Sequence, residues 1–330
     1  MKRMIPLMIV AGLSTSSFAG LINRYSFTVD ANDSTGPRHA QLKGTAAVVD
    51  GKLRLDGAGW AELPGGLVTP LASATVEAWF TYQRNGSYVR VFDFGNTNAK
   101  GQGASCWYFS PDCPAGSRTV FSNTDPGFTY EETIDHTRLP ENVPTHVVVV
   151  YDGPAKKARL YLDDRLIGER AMTVKLSEIG TQHLYLGKSS YNSDKLLRGT
   201  IDEFRIYDDA MTDLQRRLNG QLGPDKIQDC VLAGVSPAPD ANQVSTTPML
   251  SWTVNKTIAV DHYEVASGTN PQTLSPAAQA LPSFVSTKDT HLTLARLASG
   301  ATCCWRVDTV DAGSHRHVGP VVAFTCADTK

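Results

Sequence analysis

Residues 199–208 constrain this chain more than any other stretch. The run supplies apolar β-formers at Ile201, Phe204 and Ile206, so it predicts a buried strand with Asp202 at its mouth. Asp208 and Asp209 then offer a helix cap, and residues 210–218 have the composition of a short helical tail.

Segments of the same character precede it. Tyr25-Ser26-Phe27 leads into a polar loop over 30–36, residues 51–57 and 74–80 carry further strand patterns, and Arg90-Val91-Phe92-Asp93-Phe94-Gly95-Asn96 adds another. Residues 145–152, 158–168 and 183–187 complete the set. In this order, from about residue 21 to about 221, these landmarks resemble a laminin-G-like, concanavalin-A-like jelly roll, whose closing strand 199–208 would be. Asp163-Asp164 stands where such domains usually turn on Asp-Gly, a modest departure because Asp also tolerates positive φ. Asn85-Gly86 reads as a second hairpin turn.

A chain of 330 residues suits two domains, each with enough apolar content for a core. The formal charge of −2 and the lack of a Lys/Arg cluster argue against a nucleic-acid partner. Lys2 and Arg3, an apolar stretch over 4–13 and then Ser17-Phe18-Ala19 predict a secretory signal peptide over 1–19, removed before Gly20. The apolar stretch is about half of the roughly 20 residues a membrane span needs, and no later segment could span a bilayer. The expected location is therefore extracellular or periplasmic.

In an exported chain the six cysteines are expected in disulfides. Cys106 and Cys113 flank Ser-Pro-Asp within one expected loop, and closing that ring would stabilise the fold by about 2.5 kcal/mol. Cys303 and Cys304 are neighbours on a predicted strand and should face opposite ways, each with its own partner among Cys230 and Cys326. No Cys-x2-Cys pair supports zinc.

Periodicity breaks at Gly220 to Pro224 and resumes after Ser236-Pro237, which places a linker over 223–231 between a first domain, 20–222, and a second, 232–327. Short strands at 248–254, 261–266, 291–297, 302–310 and 318–325 predict a second β-sandwich. Pro248-x-Leu250-x-Trp252, Tyr263-x-Val265 and Cys303-x-Trp305-x-Val307 resemble a fibronectin type III domain of the immunoglobulin-like class. The fold class is then all-β, a jelly-roll sandwich plus a smaller sandwich.

Catalytic patterns are missing. No Glu-x-Asp-x-x-Glu strand supplies paired carboxylates, and Glu131-Glu132-Thr-Ile-Asp135 reads as a solvated loop. No nucleophile elbow, phosphate loop or His-Glu-x-x-His occurs. The jelly-roll resemblance implies one structural calcium ion, with Asp202 at the seam of first and last strands or Asp30 and Asp33 in the loop; the alternative for Asp202 is a strand-end cap. Aromatics in or near expected loops are candidates for stacking on sugars, and Tyr88, Trp107, Tyr108 and Tyr130 form the expected ligand set, with Trp60 and Tyr191 nearby in kind. Trp79 and Trp252 alternate with apolar neighbours and read as core, and His146 as a satisfied histidine at the core's edge. The signal peptide and the missing catalytic patterns point to an exported, non-catalytic binding protein, and the resemblance implies that its ligands are extracellular or cell-envelope glycans. The alternatives are a protein-adhesion or structural module and a divergent glycan-active enzyme.

Overall fold

The structure, a computed structural model, describes residues 19–254, 258–278 and 280–328. The expected signal peptide lies outside the described residues except for Ala19.

Two sheets face each other in the larger unit. Among the described residues, one has eight strands in the order Arg165–Ala171, Lys157–Leu162, Thr145–Asp152, Ala74–Gln83, Arg198–Tyr207, Lys52–Asp56 and Ala47–Val49, with Leu21–Tyr25 also on Arg198–Tyr207. The other has seven: Glu132–His136, Gly116–Phe121, Gly103–Cys113, Phe92–Thr97, His183–Leu186, Trp60–Leu63 and Gln41–Lys43. Neighbours within both sheets run antiparallel, and strands cross between sheets. Period-two alternation sends Val76, Ala78 and Phe80 from one sheet and Phe92, Phe94, Trp107 and Phe109 from the other into a single core. Trp107 is stacked between Phe94 and Phe121 at 5.3 and 4.9 Å. The strand Arg198–Tyr207 pairs with both Leu21–Tyr25 and Ala74–Gln83, so the segment legible in sequence is the one that closes the sheet. Asp163 and Asp164 both take left-handed φ, 47° and 69°, as a tight hairpin turn requires.

Several expectations are corrected. The helix is Asp213–Leu222, capped by Thr212 Oγ1, which accepts from Gln215 N at 3.2 Å. Asp208 instead accepts from Gly20 N at 2.7 Å, so it is not free to cap a helix. Asn85-Gly86 is no hairpin: it lies in the connection from Ala74–Gln83 to Phe92–Thr97, which belong to different sheets. Cys106 and Cys113 share one strand, Gly103–Cys113, and seven steps of extended chain span roughly 20 Å, far beyond disulfide reach. All six cysteines are buried thiols. Cys303 and Cys304 do face opposite ways: Cys303 packs in a core with Cys230 and Cys326, whereas Cys304 sits with Ala266, Leu274 and Val321, apart from any other cysteine. The expected one-to-one pairing therefore does not form, since Cys304 has no candidate partner on its face.

Among the described residues, the smaller unit sets a three-stranded sheet, Leu232–Ser236, Met249–Val254 and His291–Thr293, against a six-stranded one built on Val260–Gly268, Thr302–Asp311 and Val322–Cys326. Trp252, Tyr263 and Trp305 fill the space between. Helix Asp213–Leu222 joins that core through Leu214, Leu218 and Leu222, one face at i, i+4, i+8. Gln221 exchanges two hydrogen bonds with the Val321 backbone, at 2.8 and 2.7 Å. Burying one leucine stabilises by about 1.5–3 kcal/mol, so the helix is a structural link between the sandwiches. No helix among the described residues is long and apolar enough to cross a membrane.

Candidate functional site

The outer face of the seven-stranded sheet holds the candidate site. On Gly103–Cys113 the residues that alternate with Trp107 and Phe109, namely Cys106 and Tyr108, point away from the core. Glu62, Tyr185, Asp93, Tyr108 and Val120 are successive cross-strand partners, a row running over that face. Loops then build walls around Tyr108. Tyr88 and Arg90 come from the connection between sheets, Phe128 and Glu131 from the turn after Gly116–Phe121, and Tyr191 and Asp194 from the loop before Arg198–Tyr207. They enclose a cavity of about 300 Å³, which Arg118 also lines.

Arg90 is its floor. The residue is 1% exposed and its guanidinium lies over the Tyr108 ring at 3.8 Å, with Tyr88 at 5.9 Å. Its Nη1 donates to Tyr88 O at 2.7 Å, its Nη2 reaches Asp194 only at 3.4 Å, and its Nε, 3.5 Å from Asp93, has no hydrogen bond. Beneath it, Asp93 accepts from Ser190 N and Oγ at 2.9 and 2.6 Å. Burial outweighs these partners and pushes the Asp93 carboxyl up to about 6. Burial likewise raises Asp194, against the opposing pull of Arg90. His183 Nε2 lies 2.9 Å from Ser190 Oγ, and burial lowers the imidazole to about 4. Ser190, His183 and Asp93 do not form a nucleophilic triad, because the serine proton is given to Asp93 and the hydroxyl is fully buried.

The wall opposite is loosely held. Glu131 takes Tyr108 Oη and Arg118 Nη1 at 3.5 Å each, while Arg118 Nε donates to Asp135 at 2.7 Å. Tyr191 Oη is buried beside the Phe128 backbone N–H. At the rim Tyr88 is 41% and Phe128 58% exposed.

Of the expected ligand set, the structure brings Tyr88 and Tyr108 to this cavity and leaves two members out. Trp107 has no exposed surface and is core, which corrects its assignment. Cys106 through Phe109 is apolar toward both faces, so alternation could not be read there. Tyr130 is held outside the cavity by Glu132 at 2.9 Å. The stretch read as a solvated loop is the edge strand Glu132–His136, and Glu132 is buried, clamping Thr173 N and Val174 N. Sequence reasoning missed Arg90, Arg118, Phe128, Glu131 and Asp194. Only Arg90 carried a local signal, a charge within an apolar strand pattern.

The other outer face, on the eight-stranded sheet, is closed. Helix Asp213–Leu222 and the segment after it cover Glu77, Glu203 and Arg205, each 0% exposed. Glu77 accepts from His146 Nε2 and Tyr207 Oη at 2.9 Å and from Asn219 Nδ2 at 3.0 Å. Trp79, though buried as expected, lies on this face and not in the main core, between His146 (4.3 Å, stacked) and the Arg205 guanidinium (4.5 Å). Arg205 binds Glu203 and gives Nη2 to Lys226 O at 2.9 Å, and Arg24 holds both oxygens of Glu203, at 2.8 and 3.2 Å. Burial pushes the Glu77 carboxyl up, but the His146 hydrogen bond and the Arg205 charge outweigh it and hold it below the usual range.

The calcium expectation fits these residues poorly. Asp202 is paired with Lys52 Nζ at 2.8 Å, an ammonium where a cation would have to sit. Asp33 already accepts from Asn23 Nδ2, Arg24 N, Thr35 N and Thr35 Oγ1, and Asp30 from Asn32. Calcium wants six to eight oxygens, and among the described residues no group of three or more His, Cys, Asp or Glu could hold a metal.

Residues 55–215 match the family described as the Concanavalin A-like lectin/glucanases superfamily, and the larger unit is a jelly roll of that type. No curated protein matches the chain. Among solved structures, the chain is similar to domain 4 of AbnA, a GH43 extracellular arabinanase from Geobacillus stearothermophilus, in complex with arabinotriose. The two are 20% identical, with 60% of this chain and 96% of that one covered, at a TM-score of 0.49. The Ruminococcus gnavus IT-sialidase CBM40 bound to α2,3 sialyllactose is 16% identical, with 52% and 94% covered and a TM-score of 0.40. The botulinum neurotoxin serotype C1 binding domain is 11% identical, with 94% and 79% covered and a TM-score of 0.48.

Proposed function

We propose that this chain is an exported, non-catalytic glycan-binding protein, and that its jelly roll holds a sugar in the cavity above Tyr108. The observation that carries the reading is the chemistry of that cavity. Aromatic faces suit the C–H surfaces of a sugar ring, and slack carboxylates and guanidinium groups suit its hydroxyls. A volume of about 300 Å³ is at the small end for ligand sites. The sequence match to a superfamily of lectins and glucanases supports the same class. The second sandwich, read as fibronectin-III-like from its Trp252 and Trp305 landmarks, would act as a spacer or adhesion module.

A glycan array probed with the secreted chain tests this. Hits that disappear in Tyr88→Ala while folding is retained are expected; an array without hits moves the reading to protein adhesion. Glu131 and the raised Asp194 in one cavity favour a second reading, carboxylate catalysis of glycan cleavage. Release of reducing ends from a polysaccharide would establish it.

A further inference from the structure

The charge around the cavity selects among sugars, an inference that rests on the glycan-binding reading. Two guanidinium groups face it, Arg90 and Arg118. Around them stand four carboxylates: Asp194 and Glu131 in the wall, Asp93 under Arg90, and Asp135 on Arg118. Two further cations stand behind these: Lys188, whose ammonium lies over the Tyr185 and Trp60 rings at 4.1 and 5.1 Å, and Arg170, which gives Nη1 to Thr133 O at 3.2 Å. Each guanidinium is therefore already matched by two carboxylates, Asp93 and Asp194 for Arg90 and Glu131 and Asp135 for Arg118.

The cations are also already engaged. Arg118 gives Nε to Asp135 and Nη1 to Glu131, and Arg90 gives Nη1 to a carbonyl and faces Asp93 and Asp194 with its other nitrogens. A sugar carboxylate would have to displace these acids from their arginines and lie against them in a partly dry cavity, where like charges repel strongly. A hydroxyl can donate to Glu131 or Asp194 and accept from Arg90 or Arg118, which is what bonds of 3.4 and 3.5 Å leave room for.

We infer that the cavity above Tyr108 takes a neutral sugar, and that Glu131 and Asp194 exclude uronic and sialic acids from it. Titration calorimetry with arabinotriose, cellotriose and mannotriose against trigalacturonate and sialyllactose decides the matter. The expected result is that a neutral trisaccharide binds at least tenfold more tightly than either acidic one. Glu131→Gln should weaken the neutral ligand and narrow or reverse that preference. Glu131 is partly exposed and loosely bonded, so the variant is expected to fold; an unchanged melting temperature checks this. Tighter binding of an acidic sugar, lost in Tyr88→Ala, would overturn the inference and leave glycan binding standing. An unaltered preference in folded Glu131→Gln would overturn the role of that carboxylate. Binding of none of the five sugars, with none on the array, would sink both.

Discussion

Both outer faces of the jelly roll carry an arginine over an aromatic ring with acids around it: Arg205 over Trp79 on the eight-stranded sheet, Arg90 over Tyr108 on the seven-stranded one. The chemistry is alike and the outcome opposite. Glu77 has close donors from three side chains besides Arg205, and these outweigh burial and depress its pKa. Asp93 and Asp194 are buried among fewer or longer bonds, and burial wins, so their pKa values rise. A helix and its following segment close the first face, whereas loops surround the second and leave a cavity. Completed partnerships make a joint; incomplete ones make a site.

The sharpest way to break this comparison is to remove each arginine. Arg205→Ala leaves Glu77 and Glu203 buried beside fewer partners and should cost about 3–5 kcal/mol in urea unfolding, without any ligand-specific effect. Arg90→Ala should cost less, because Arg90 makes one close hydrogen bond, to Tyr88 O, and only longer contacts to Asp194 and Asp93, and it should abolish sugar binding in protein that is still folded. Equal losses of stability would mean that the two faces are one kind of structure.

The faces should also respond to pH with opposite sign. Asp93 has a folded pKa above its unfolded value, so its contribution to stability is fully present below about 3.8 and is lost as pH rises through about 6. Glu77 is depressed, so its contribution is present above the unfolded value and lost as pH falls through the folded one. Compared with wild type, Asp93→Asn should gain on the order of 1–3 kcal/mol between pH 5 and pH 8. Urea midpoints at the two pH values would measure it, and a constant difference would contradict the burial argument.

Smaller effects sharpen the picture. Tyr88→Ala removes an exposed ring and should reduce sugar affinity about tenfold while moving stability by no more than about 0.5 kcal/mol. The Lys52 pair of Asp202 is part-exposed, so Asp202→Ala should cost less than about 1 kcal/mol, equally in calcium and in chelator. A loss seen only with calcium would restore the ion that the geometry disfavours. Non-reducing peptide mapping should likewise recover Cys106 and Cys113 unlinked to each other.

The sequence by itself determined the all-β class, the closing strand at Ile201, Phe204 and Ile206, and the tight turn at Asp163-Asp164. These depend on side-chain period and local φ preference, which are written into neighbouring residues. It also marked Tyr88 and Tyr108 as candidates, by their type. Tertiary structure decided the rest. Trp107 and Tyr108 differ only in which side of one strand they occupy, and a strand apolar on both faces hides its own period. Arg90, Glu131 and Asp194 are 41 to 104 positions apart and meet only because three loops converge over one sheet. Whether a charge becomes a joint or a site depends on how many partners reach it, and those partners come from distant parts of the chain.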